Sequence, residues 1–73
     1  MKIIKKTLDI GSILQSANSS RQHKVIREYT NISGSQIIVY QMINKDGTLD
    51  AFQNRSTRQG IEEGIKSNKI KLI

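Results

Sequence analysis

Apolar and polar positions are most regular in the middle of the chain. Residues 36–43, QIIVYQMI, form the strongest strand pattern, dense in β-branched and aromatic side chains. Residues 23–31, HKVIREYTN, carry the same chemistry just before it, with ISGS between them as a turn. Residues 44–48, NKDGT, fit a type I turn in which Gly47 takes the left-handed position and closes a hairpin with a G1 bulge. Asn44 bonds the turn through its side chain, and glycine adopts positive φ without a Cβ clash. Residues 48–53, TLDAFQ, are the returning strand.

This turn implies a register. Asn44 faces Thr48, Ile43 faces Leu49, Gln41 faces Ala51, and Tyr40 lies beside Phe52. An earlier turn at residues 32–35 sets Tyr29 beside Ile38 and Arg27 beside Tyr40. Strand alternation then gathers Val25, Arg27, Tyr29, Ile38, Tyr40, Met42 and Phe52 on one face. Ile26, Ile37, Val39, Ile43, Leu49 and Ala51 fall on the other. Both faces of the central strand are apolar, so both call for cover.

After the hairpin the period becomes helical. Ser56 with Gln59 makes a capping-box pattern, and Thr57, Ile61 and Ile65 share one stripe. Asn68 is placed to end the helix in the left-handed conformation. Gly60 and Gly64 each cost about 0.8–1 kcal/mol relative to alanine, so this helix depends on packing. Their spacing also allows its backbone a close approach to a sheet or a partner. Residues 69–73, KIKLI, read as a terminal edge strand whose lysines discourage unwanted pairing.

The N-terminal third supports two readings. Ile4, Leu8 and Ile10 alternate as on a strand, with Gly11 suited to a bulge. Ile10, Ile13, Leu14 and Ala17 also fit one face of a helix capped by Asp9. The strand gives an antiparallel meander; the helix gives a ferredoxin-like plan with an extra strand. Residues 16–20, SANSS, form a loop in either case. The meander is the expected order, because the Ser-rich segment is a poor helix former. The expected fold is therefore α+β: a small antiparallel sheet of about four strands, a C-terminal helix packed on one face, and a short terminal strand. Residues 1–73 make a single small domain, and a second copy of the chain is one candidate to cover the other sheet face.

Composition removes several kinds of chemistry. There is no cysteine, hence no disulfide and no thiolate metal site. A domain this small has a thin stability margin. No apolar run approaches the ~20 residues of a membrane span, and the early lysines precede no apolar signal segment. A cytoplasmic protein without membrane contact is the expectation. Asn18, Asn31 and Asn54 match the glycosylation pattern by chance in an Asn- and Ser-rich chain. His23 is the only histidine, and Asp9, Glu28, Asp46, Asp50, Glu62 and Glu63 are scattered. They form no triad, carboxylate pair or metal-ligand spacing, and no phosphate-binding glycine motif occurs. The expectation is a non-enzyme without cofactor or metal.

Charge supplies the positive lean. Twelve Lys and Arg stand against six Asp and Glu, a formal charge of +6. An excess of this size favours an anionic partner, and DNA or RNA is the expected one. The candidate contacts are Arg21, Lys24 and Arg27 on a basic hairpin shoulder, and Arg55, Ser56, Thr57 and Arg58 at the helix start. There free amides and the helix dipole favour anions, and arginine forks suit phosphate. Tyr29, Tyr40 and Phe52 on one face with Arg27 form either a stacking platform for single strands or simply core. The competing expectation is a protein-interaction module, an inhibitor or adaptor, dimerising through its sheet. Three strands followed by a helix is similar in order to small DNA-contacting domains of recombinases, a likeness of topology without a shared motif.

Overall fold

The computed structural model describes residues 7–73. Its elements are β1 (Ile13–Ser16), β2 (Gln22–Thr30), β3 (Gln36–Ile43), β4 (Leu49–Thr57), α1 (Arg58–Lys66) and β5 (Ile70–Leu72). They form one antiparallel sheet in the order β4-β3-β2-β1-β5. The first four strands are a meander. The chain then passes through α1 from the β4 edge to the opposite edge, where β5 pairs with β1. The architecture is the small α+β domain that the sequence implies.

Both hairpins turn by one local chemistry. The Asn31 amide donates to the Ser35 carbonyl at 2.8 Å and that of Gly34 to the Asn31 carbonyl at 2.9 Å. Asn44 repeats the first bond with Thr48 at 2.7 Å, and Gly47 repeats the second with Asn44 at 2.9 Å. Gly34 and Gly47 take φ of 86° and 88°, the left-handed region where a Cβ is strained. The Asn31 side chain accepts from the amides of Ser33 and Ser35, and that of Asp46 from Thr48. The first turn therefore starts at Asn31, one residue ahead of the expected position.

At the N-terminal side the helical reading is overturned, and β1 is a strand. Gly11, at φ 92°, donates to Val25 O, while Val25 N donates to Ser12 O. Two residues thus oppose one, which is a glycine bulge. Asp9 bonds the Ile10 amide in this turn instead of capping a helix. Leu8 is buried in the core without belonging to a strand, and Ile4 lies outside the described residues.

Two further irregularities correct the expected faces. On β2, Val25 pairs with Tyr40 but Arg27 pairs with Val39, so Ile26 is an extra residue. With the turn starting at Asn31, Arg27 and Tyr29 pair with Val39 and Ile37, away from the face of Ile38, and the bulge then returns Val25 to that face. On β4, Leu49 pairs with Ile43 as expected, but Gln53, not Ala51, pairs with Gln41. The extra residues are stabilised locally: the Asp50 carboxylate accepts from the Phe52 amide, and Gln41 donates to the Asp50 carbonyl. Tyr40 consequently faces Asn54, and Phe52 is left 60% exposed. Neither bulge contains a glycine, so local propensity does not announce them.

The core lies between α1 and one sheet face. Leu8, Leu14, Val25, Ile38 and Ile61 are buried together, with Tyr40, Ile65, Ile70 and Leu72 packed around them. Burying such a side chain is worth about 1.5–3 kcal/mol each, the main source of stability in a domain of this size. The helix starts one residue later than the capping pattern implies: Thr57, not Ser56, accepts from Gly60 N at 3.1 Å. Ser56 still belongs to β4, opposite Ile38, so alternation points it at the core. The helix ends as expected, with Asn68 at φ 64°. Lys69 N donates to Gly64 O and Asn68 N to Ile65 O, the paired bonds of a Schellman motif. Gly64 is where helix and sheet meet most tightly, since a Cβ there would lie 2.6 Å from Ile70 Cδ1.

Candidate nucleic-acid interface

The bulge at Ile26 brings cations together on the sheet face opposite α1. Across β2, β3 and β4 the pairing sets Lys24, Gln41 and Gln53 in one row. The next row is Arg27, Val39 and Arg55, and the third is Tyr29, Ile37 and Thr57. On the far side of the sheet Ile13 pairs with Lys24, Gln15 with Gln22, and Lys71 with Gln15. Lys24, Arg27, Arg55 and Lys71 are all exposed. Among the described residues, no helix or strand packs on this outer face.

No carboxylate occupies a paired position of the outer face. Glu28 pairs with Ile38 and points to the helix side. Asp46 lies in the β3–β4 turn, Asp50 in the bulge, and Glu62 and Glu63 on α1. The Asp46 carboxyl is held below its ordinary range, first by the Thr48 hydroxyl and then by the Thr48 amide. The paired positions of the outer face thus carry cations and no carboxylate, while Glu28, Glu62 and Glu63 lie on the helix side.

Val39 sits at the centre of this face, fully buried although it is outside the helix-side cluster. Its neighbours across both strands are arginines. Cross-strand partners have Cβ atoms about 4.5–5.5 Å apart, and arginine stems cover apolar surface while the guanidinium stays in water. The register thus places both arginine stems beside Val39, on the face where the alternating apolar pattern requires cover. Arg27 also places its guanidinium 5.2 Å from the centre of the Tyr29 ring.

The expected site residues therefore separate. Lys24, Arg27 and Arg55 share the outer face. Arg21 is exposed in the turn before β2, where its charge acts on His23. Ser56 points to the helix side and shares a hydrogen bond with the Tyr40 hydroxyl at 2.9 Å. Thr57 falls on the outer face by register, but its hydroxyl is used in capping α1.

Arg58 is tied into the fold: it bonds Glu28 Oε2 at 3.0 Å and Leu8 O at 2.7 Å, with Glu62 at 3.7 Å. A cation at a helix start, unfavourable for the dipole, is explained by these acceptors. At the helix start Arg58 is therefore engaged within the fold. Residues missed by sequence reasoning are Gln41, Gln53 and Lys71: the two-residue β4 bulge brings Gln53 opposite Gln41 on this face, and the Ile26 bulge sets Lys71, through β1, on the same side.

The helix side has its own polar groups. A cleft of about 620 Å³ is lined by Leu14, His23, Tyr40, Ser56, Ile61 and Ile70, among others. His23 meets the Tyr40 ring edge-on at 5.4 Å, and burial, followed by Arg21, pushes its pKa down. Among the described residues no group of three or more His, Asp or Glu is placed to hold a metal ion. No described helix is long and apolar enough to cross a membrane. Comparison of the chain with family models, curated proteins and solved structures finds no match.

Proposed function

We propose that the protein binds nucleic acid through the outer face of its sheet. The observation that carries this reading is the row Arg27–Val39–Arg55, flanked by Lys24 and, across the sheet, Lys71, on a face without a paired carboxylate. Such an arrangement attracts a polyanion and releases its condensed counterions, so affinity falls steeply with salt. Arginine adds forked donors that match phosphate and base-edge acceptors. Arg58 and Ser56 have no part in this reading, because the fold uses both.

The test is a fluorescence-anisotropy titration of labelled oligonucleotides at ~50 mM and ~200 mM salt, a range over which phosphate-contacting proteins lose orders of magnitude in affinity. Micromolar or tighter binding is expected at the lower salt. It weakens at least about tenfold in the R27Q/R55Q double variant, a loss of about 1.4 kcal/mol. Absence of binding to duplex DNA, single-stranded DNA and RNA refutes the proposal.

A second reading has its own observation. Phe52 and Leu49 are both exposed on β4 near the β3–β4 turn, apolar surface open to a protein contact. A protein partner, or a second copy of the chain, would dock there. Sedimentation at several concentrations tests it: association lost in F52S supports a self-contact through this site, and a monomer at every concentration excludes one.

A further inference from the structure

We infer that the nucleic acid taken by the outer face is B-form duplex DNA, seated with its major groove against β2, β3 and β4. This rests on the proposed function and goes further, choosing among nucleic acids. Single-strand binders stack bases on a row of exposed rings. Here Tyr40 lies on the helix side with its hydroxyl on Ser56, and Phe52 lies in the β4 bulge. Tyr29 alone reaches the outer face, and the Arg27 guanidinium sits 5.2 Å from its ring centre. No platform of rings is available for unstacked bases.

The spacing of the cations matches a duplex groove. Arg27 and Arg55 stand on either side of Val39, two strands apart. Strands lie about 4.8 Å apart, so the two backbones are separated by roughly 10 Å. A B-form major groove is about 12 Å wide and admits β-strands. The A-form major groove of duplex RNA is too narrow and deep for side chains to read. Along β4, Gln53 and Arg55 are two residues apart, roughly 6.8 Å. That is about two base steps of 3.4 Å each. Arginine pairs with the O6 and N7 of guanine, and glutamine with the N6 and N7 of adenine. Gln53 is exposed, whereas Gln41 is held by its bond to the Asp50 carbonyl. The geometry thus gives Arg27, Gln53 and Arg55 to base edges, and Lys24 and Lys71 to the backbone.

The experiment is an anisotropy titration of the whole chain against three probes of one sequence: duplex DNA, single-stranded DNA and duplex RNA. It is repeated on duplex DNA with the minor groove occupied by netropsin. Duplex DNA is expected to bind at least about tenfold tighter than the other two, with netropsin leaving affinity unchanged. A Q53A variant is expected to narrow the spread of affinities among different duplex sequences while moving the mean less than about threefold. Equal or tighter binding of single strands or RNA, lost in R27Q/R55Q, overturns this inference and leaves the proposed function standing. Displacement by netropsin overturns the major-groove assignment. No binding to any probe overturns both.

Discussion

Arg58 and Glu28 meet at 3.0 Å although thirty positions separate them in sequence. The bond joins the first turn of α1 to β2, and Arg58 also reaches the Leu8 carbonyl at 2.7 Å. Both partners of the ion pair are about three-quarters buried. Charge-assisted bonds of this kind contribute about 1.5–3 kcal/mol. Arg58→Ala is expected to destabilise the fold by about that amount in urea unfolding. Lys45→Ala, at an exposed position of the β3–β4 turn, stays within about 0.5 kcal/mol of the parent. Equal costs for the two would mean that the helix start is not pinned in this way.

The Tyr40 and Ser56 hydroxyls form a similar link between β3 and β4, at 2.9 Å. Tyr40→Phe and Ser56→Ala should each cost about 0.5–1.5 kcal/mol. The double variant should cost less than the sum, because the bond is lost only once. Strict additivity in this double-mutant cycle would show that the two hydroxyls do not depend on each other.

His23 ties stability to pH. Burial, then the nearby Arg21, lowers its pKa in the folded chain below the ordinary 6.5. The unfolded chain therefore binds the proton more readily than the folded one. The contribution of neutral His23 is fully present above pH 6.5 and is lost as pH falls through the lower folded value. Between pH 7.5 and 5 the urea midpoint should drop, and the drop should shrink in His23→Gln. Asp46 acts in the same direction but in a more acidic range, below its ordinary 3.8. A midpoint that rises on acidification would contradict the assignment.

The hairpin turns give a conformational test without packing effects. A Cβ at Gly34 meets nothing within 4 Å, yet φ is 86°. The cost of Gly34→Ala is therefore that of the left-handed backbone alone, about 1–2 kcal/mol. Gly34→Asn should recover much of it, since asparagine tolerates this region. Thermal unfolding of the two variants measures the difference.

Much of this architecture is written locally in the chain. The Asn44–Gly47 turn, the left-handed Asn68 and the lysine-bearing edge strand each follow from nearby residues, and the structure has all three, whereas the first turn starts at Asn31 and not at Ile32. The bulges do not follow. Arg27 and Tyr29 are read onto the wrong face because the first turn closes Asn31 on Ser35, and the Ile26 bulge, which returns Val25 to the helix side, arises only from how β2 and β3 pair. Arg58 is misread for a related reason, because its acceptors lie on β2 and near Leu8. Ser56 and Thr57 differ by one position as caps, and the choice is made by Tyr40 across the sheet. Of the basic residues read as a site, Lys24, Arg27 and Arg55 share a face that only the observed register assembles.

Amide chemical-shift mapping with a short DNA duplex tests binding through the outer face residue by residue. The expected result is a set of shifts at Lys24, Arg27, Val39, Gln53 and Arg55, with Ile61, Gly64 and Ile65 of α1 unmoved. Shifts concentrated on α1 and its cleft, or no shift at all, would contradict the account.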